Sequence, residues 1–222
     1  MKKIKFTLIT IVVLSLIYYV SNLTGLLVIN KIPTTVNSPT IEINSYIIST
    51  NLIEPKKKDF ITYLHSDTIF GKQTWLHRLC AVANDTILMK NGVLYVNGEN
   101  FDKNLNLVNF YTVEKGLYEE FYRDGKIIDD FMTNRLKDNK LKILLDNKTA
   151  LKYDIKFDSD NGQINLFNEN NEHANWTKHN FGPIIIPENE FFVLADNRDW
   201  FNDSRIIGLI NRTNLLGVVI NK

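Results

Sequence analysis

The sequence predicts a mainly β domain with an inserted α/β subdomain, preceded by one N-terminal transmembrane helix. Three observations predict it: an uncharged apolar run behind a lysine-rich start, short β-branched and aromatic runs broken by Asn, Asp and Gly, and a change of texture between Phe101 and His179. Residues 1–31 then form a cytoplasmic tip and anchor, 33–100 the first part of the β core, 101–179 the insertion and 180–222 the second part of the core.

Lys2, Lys3 and Lys5 stand before an uncharged stretch at residues 6–29. As a helix this stretch would reach about 36 Å, enough to cross a hydrocarbon core with some tilt. It exceeds the roughly 7–15 apolar residues of a cleaved signal sequence, and no Ala-x-Ala site follows it. Three lysines before the span against Lys31 just after it keep the N-terminus cytoplasmic. The main domain is then periplasmic or extracellular, and the chain a single-pass membrane protein.

Beyond Pro33, residues 46–48, 60–63 and 75–79 are rich in β-branched and aromatic side chains and read as strands. Residues 87–89 and 93–96 flank Lys90-Asn91-Gly92, and Asn-Gly supplies the positive φ angles that a tight hairpin needs. A second Asn-Gly, at Asn97 and Gly98, marks the next reversal. In the insertion, Ile127, Ile128, Phe131, Met132 and Leu136 recur at helical spacing, and residues 141–157 read as a hairpin. The Asn-rich residues 168–172 read as a solvated loop. Strand character returns at residues 183–186, 191–194, 206–210 and 215–220.

With 222 residues, 44% of them hydrophobic, the chain can build a core beside its anchor. A net charge of +1 and the lack of a basic run interleaved with aromatics argue against a nucleic-acid surface. The one cysteine, Cys80, allows no internal disulfide and no cysteine-built zinc site, and it reads as a small core residue. His65, His173 and His179 lie in polar stretches without metal-ligand spacing, so neither a metal nor a cofactor is expected. Trp75 and Trp176 read as packing residues.

The densest chemistry lies at Val193-Leu-Ala-Asp-Asn-Arg-Asp-Trp-Phe-Asn-Asp-Ser-Arg-Ile-Ile-Gly208. This segment resembles the C-terminal signature of type I signal peptidases, Gly-Asp-Asn-Arg-Asp-x-Ser-x-Asp-Ser-Arg-x-x-Gly, through Asp196, Asn197, Arg198, Asp199, Asp203, Ser204, Arg205 and Gly208. Three earlier blocks follow in the family's order. Val36-Asn-Ser-Pro-Thr-Ile41 is similar to Ser-Met-x-Pro-Thr-Leu, and Lys58-Asp-Phe-Ile-Thr-Tyr63 to the Gly-Asp-x-Val strand. His77-Arg-Leu-Cys-Ala-Val-Ala-Asn-Asp-Thr-Ile87 is similar to Lys-Arg-x-x-Gly-x-Pro-Gly-Asp-x-Val. The resemblance implies a signal-peptidase-like β domain, membrane attachment, and exported preproteins with their signal peptides as partners. It also implies a Ser–Lys dyad, in which burial must lower the lysine pKa to make it a base.

Both halves of that dyad are altered. Val36 stands at the family's nucleophile position and has no atom that can attack a carbonyl, while His77 stands at the lysine position beside Arg78. Asn37, Phe201 and Ala83-Asn84 are further departures. One expectation is a binding module that docks an extended signal-peptide segment or partners an active signal peptidase. The other is a serine endopeptidase with a relocated Ser38–His77 dyad, since histidine is a base near neutrality and signal peptidases of the endoplasmic-reticulum type use it at this position. In an extended chain Ser38 would sit about 6–7 Å from Val36, so such a dyad needs a local slip. Thr34 and Thr35 are weaker candidates. The resemblance makes Arg78, Asp196, Asn197, Arg198, Asp203, Ser204 and Arg205 the scaffold of the site: Asp203 and Arg205 as a charged pair that Arg78 could join, Asn197 and Ser204 as turn bonds. Trp200 reads first as core packing, although with Phe201 it stands where it could fill or line the substrate cleft.

Overall fold

The computed structural model describes residues 2–67, 71–157 and 176–221. Helix α1 spans Lys2–Thr24, and its segment Phe6–Thr24 is exposed and apolar enough to cross a membrane. A helix that is apolar all round needs an apolar surrounding. It stops where Gly25 adopts a φ of 74°, so the expected 6–29 span is too long. Its last residues belong instead to strand β1, Val28–Lys31.

Three strands follow where the β-branched and aromatic runs place them: β2 (Tyr46–Thr50), β3 (Phe60–Asp67) and β4 (Gly71–Ala81). Strands β5 (Thr86–Lys90) and β6 (Val93–Val96) form the expected hairpin. Asn91 and Gly92 both take positive φ, 50° and 78°. Asn97 and Gly98 do the same before β7, Glu99–Asn100.

The insertion departs from expectation in two places. After β8 (Val108–Glu114) the helix is α2, Lys115–Arg123, and it ends at Gly125 with φ 65°. Residues 127–136 hold only a single 3-10 turn, Asp130–Met132, followed by the short β9, Asn134–Arg135. Their helical spacing is overridden because the Ile128 N–H bonds the Leu144 carbonyl. Nor is 141–157 a hairpin. Strand β10 (Lys140–Asp146) pairs back onto β8, and Asp146 caps helix α3 (Asn147–Lys152) by accepting from the N–H groups of Lys148 and Thr149. Residues 168–172 and His173 lie outside the described residues.

The chain closes with β11 (Phe181–Ile185), β12 (Glu190–Leu194), α4 (Ser204–Ile207), β13 (Ile210–Asn211) and β14 (Leu215–Val219). The expected strand at 206–210 is thus divided: its first two residues end α4, and Ile210 alone lies in a strand, β13. Asp203 bonds the Arg205 N–H and starts a helical turn inside the signature.

Within the described residues there are three sheets, and the fold is mainly β. One runs β1-β2-β14-β3-β4-β12-β13, a second β11-β5-β6-β7, and the third, in the insertion, β8-β10-β9. Strand β12 is buried on both faces. Phe192 and Leu194 pack with Cys80, Ile87, Met89 and Leu94, while Phe191 and Val193 pack with Ile61, Leu79 and Val218. Period-two alternation therefore makes one strand the wall between two core layers. A separate cluster of Tyr111, Phe121, Leu141, Ile143 and Leu145 holds the insertion.

Candidate functional site

His77 lies on β4 opposite Ile61 of β3, and Trp75 lies opposite Tyr63. Tyr63 and His77 are therefore diagonal neighbours on one face of an antiparallel pair, within reach of each other. The Tyr63 hydroxyl contacts His77 Nδ1 at 2.8 Å. His77 is 2% exposed, and its Nε2 has no hydrogen-bond partner among the described residues. Burial lowers its pKa to about 4, partly countered by the Asp203 and Asp196 carboxylates. Burial, helped by Asp203, pushes the Tyr63 phenol well above its ordinary range.

The loop carrying the first block is fastened against this strand. Asn37 is fully buried: its Nδ2 donates to the Leu76 carbonyl at 2.9 Å and its Oδ1 accepts from the Asp196 N–H at 3.4 Å. The Asn197 N–H donates to the Val36 carbonyl at 3.0 Å. One side chain thus ties the loop that carries Val36 to β4 and to the segment holding Asp196, a role its sequence neighbours do not reveal. Val36 and His77 line a common cavity of about 530 Å³, together with Thr34, Trp75, Trp200 and Phe201. Ser38 is 7% exposed and is not among the residues lining it. Thr35 is also buried and donates to Asp129 of the insertion at 3.3 Å. Trp75, read as packing alone, is thus a wall of the cavity.

The charged scaffold pairs differently from the sequence reading. Arg78 does not join Asp203 and Arg205; it makes a two-pronged bond to Asp196, Nε to Oδ1 at 2.7 Å and Nη2 to Oδ2 at 2.5 Å. The β4–β12 register sets Leu194 beside Arg78 and so brings Asp196 within its reach. Thr40 donates to the same carboxylate at 2.6 Å, and the Arg78 guanidinium lies 4.2 Å from the Phe60 ring centre. Arg198 pairs with Asp102 at 2.6 Å. Asp203 and Arg205 do form a pair, at 2.7 Å, and Arg205 also donates to the Arg198 carbonyl. Ser204 accepts from the Val193 N–H of strand β12, a partner outside the turn around it. Asn197 does not bond the turn through its side chain: neither amide atom has a partner among the described residues, and only its backbone ties the loop.

A second charged cluster escaped the sequence reading. The side chain of Asp199 is buried, accepts from the Phe110 N–H at 2.9 Å, and has Lys178 Nζ and His179 Nε2 each 3.2 Å from Oδ1. The His179 contact has ion-pair distance but not hydrogen-bond alignment. Burial opposes ionisation of Asp199, yet His179, Lys178 and the Phe110 amide outweigh it and hold the carboxyl at about 2. The only sequence signal was Asp199 itself, since Lys178 and His179 lie in a polar stretch. Among the described residues no group of three or more metal-ligating side chains is present.

The arrangement is a neutral imidazole beside a hydrocarbon side chain in a mostly apolar cleft, on a buried frame of paired charges. The sequence pattern of the family described as "Signal peptidase, peptidase S26" matches residues 4–221. Signal peptidase I P of Bacillus subtilis subsp. natto is 26% identical over 187 residues, covering 84% of this chain and 68% of that protein. Signal peptidase I of Aquifex aeolicus is 24% identical over 202 residues, covering 84% and 71%. A signal peptidase I structure from Enterococcus faecalis aligns over 77% of this chain and 100% of that one, at 18% identity and a TM-score of 0.37.

Proposed function

Because the chain belongs to the signal peptidase S26 family, we propose that it is a catalytically impaired homologue at the outer face of the membrane, which binds exported preproteins or an active peptidase. Val36 carries this reading. The residue at the nucleophile position lines the cavity with His77 and offers only hydrocarbon. Loss of a nucleophile removes several orders of magnitude of rate, whereas an apolar cleft between sheet elements can still hold an extended segment. Lys2, Lys3 and Lys5 against Lys31 support a cytoplasmic N-terminus. The same reading keeps residues 101–179 as a unit set between the core parts 33–100 and 180–222.

Against the competing reading, cleavage through Ser38 and His77, stand the burial of Ser38 and its absence from the lining of the cavity that holds His77. The test is photo-crosslinking of a preprotein with a photoreactive group in its signal peptide to the full-length protein in lipid. The expected product is an adduct of uncleaved preprotein that excess signal peptide competes away. Absence of any competable adduct overturns binding; a cleaved adduct that Ser38→Ala makes whole overturns the impairment.

A further inference from the structure

Tyr63 is fully buried, and among the described residues its hydroxyl contacts one polar atom, His77 Nδ1. That contact has two possible arrangements, and they are not equal. If the phenol donates, Nδ1 is bare, the neutral imidazole carries its hydrogen on Nε2, and one donor, Nε2–H, is left without a partner. If Nδ1–H donates, the phenolic hydrogen and the Nε2 lone pair are both stranded. A buried polar group left unpaired is costly, so the first arrangement prevails.

We propose that Tyr63 fixes His77 as an Nε2–H hydrogen-bond donor, and that this donor, which has almost no exposed surface of its own, is uncovered by a small shift of the cavity wall to take a main-chain carbonyl of an extended segment seated beside Val36. The second half rests on the reading that this cleft binds such segments. A bound N–H cannot accept a proton, so its partner must be an acceptor. An extended chain presents carbonyls regardless of its side chains, which suits a site that takes many sequences. The walls supplied by Ile32, Val36, Ile47 and Leu76 provide the apolar contact, and His77 provides the polar fix. Tyr63 is then a positioning residue: it occupies the basic Nδ1 lone pair and leaves Nε2 protonated, so that Nε2 has no lone pair with which to act as a base. Burial, which keeps His77 neutral and the phenol protonated, is consistent with this assignment.

The test is nitrogen-15 NMR of the four histidine side chains in the full-length protein in micelles at neutral pH, with His77 assigned by His77→Gln. The expected pattern for His77 is a protonated Nε2 and a bare Nδ1, and Tyr63→Phe moves both nitrogens toward averaged positions. A proton on Nδ1 overturns the assignment, as does a Tyr63→Phe spectrum that leaves both nitrogens unmoved. A synthetic peptide spanning a signal-peptide cleavage region is then titrated in, with tryptophan fluorescence reporting occupancy of the cavity. The Nε2–H resonance is expected to shift with the same midpoint. Saturation without that shift overturns the carbonyl contact while leaving the cleft a binding site. No binding overturns the cleft reading and the contact together, and leaves the tautomer judged by the free protein.

Discussion

A buried neutral imidazole makes the stability of this fold depend on pH in a defined window. With its folded pKa at about 4, His77 binds fewer protons in the fold than in the unfolded chain between that value and the unperturbed ~6.5. Its contribution is full above about 6.5 and is lost as pH falls toward 4, by roughly 3 kcal/mol over the window. Asp199, held at about 2, acts in the same direction but at lower pH: its contribution is full above the ordinary carboxylate range and is lost as pH falls toward 2. Urea midpoints measured from pH 7.5 to 4 are expected to fall across this window, and His77→Gln to flatten the slope. The buried Arg78–Asp196 pair gives a second prediction. Asp196→Ala leaves a buried guanidinium without its partner, and is expected to cost about 3–5 kcal/mol in the same denaturation assay. The resemblance made both residues visible as scaffold, but not as partners, because strand register decides that. Tyr63 was invisible for a related reason. A tyrosine in an apolar strand reads as core until its diagonal neighbour is known.

At the scale of elements, local chemistry was legible where it was self-contained. The Asn91-Gly92 turn needs nothing beyond two positive φ angles, and it forms as the sequence predicts. Where partners lie far away, periodicity misled: residues 127–136 are held by β10, 141–157 divides at the Asp146 cap, and 206–210 divides after the turn that Asp203 begins. Two glycines test the element packing. A Cβ on Gly217 of β14 would lie 2.9 Å from the Thr50 carbonyl of β2, backbone that cannot move without opening the pairing. Gly217→Ala is expected to lower stability by about 1–3 kcal/mol, as overpacking does. Gly116 in α2 has no atom within 4 Å of its added Cβ, so Gly116→Ala is expected to raise stability by about 0.5–1 kcal/mol. Thermal melts of the two variants should therefore move in opposite directions.

The whole molecule joins an apolar helix able to cross a membrane to a family β domain with a charged frame and Val36 beside His77 in its cavity. Family membership was legible because four blocks kept their order. What became of the site was legible only in part: Val36 and His77 stood out as departures, but their shared cavity, the Asn37 tie and the burial of Ser38 needed the fold. The central claim is that this frame binds without cutting. It is tested most directly by incubating a preprotein with the purified full-length protein in detergent, beside Ser38→Ala and a Val36→Ser, His77→Lys double variant. The natural protein and Ser38→Ala are expected to give no cleavage, and the double variant to cleave at the signal-peptide junction. Cleavage by the natural protein that disappears with Ser38→Ala would contradict the claim and establish a working dyad at Ser38 and His77.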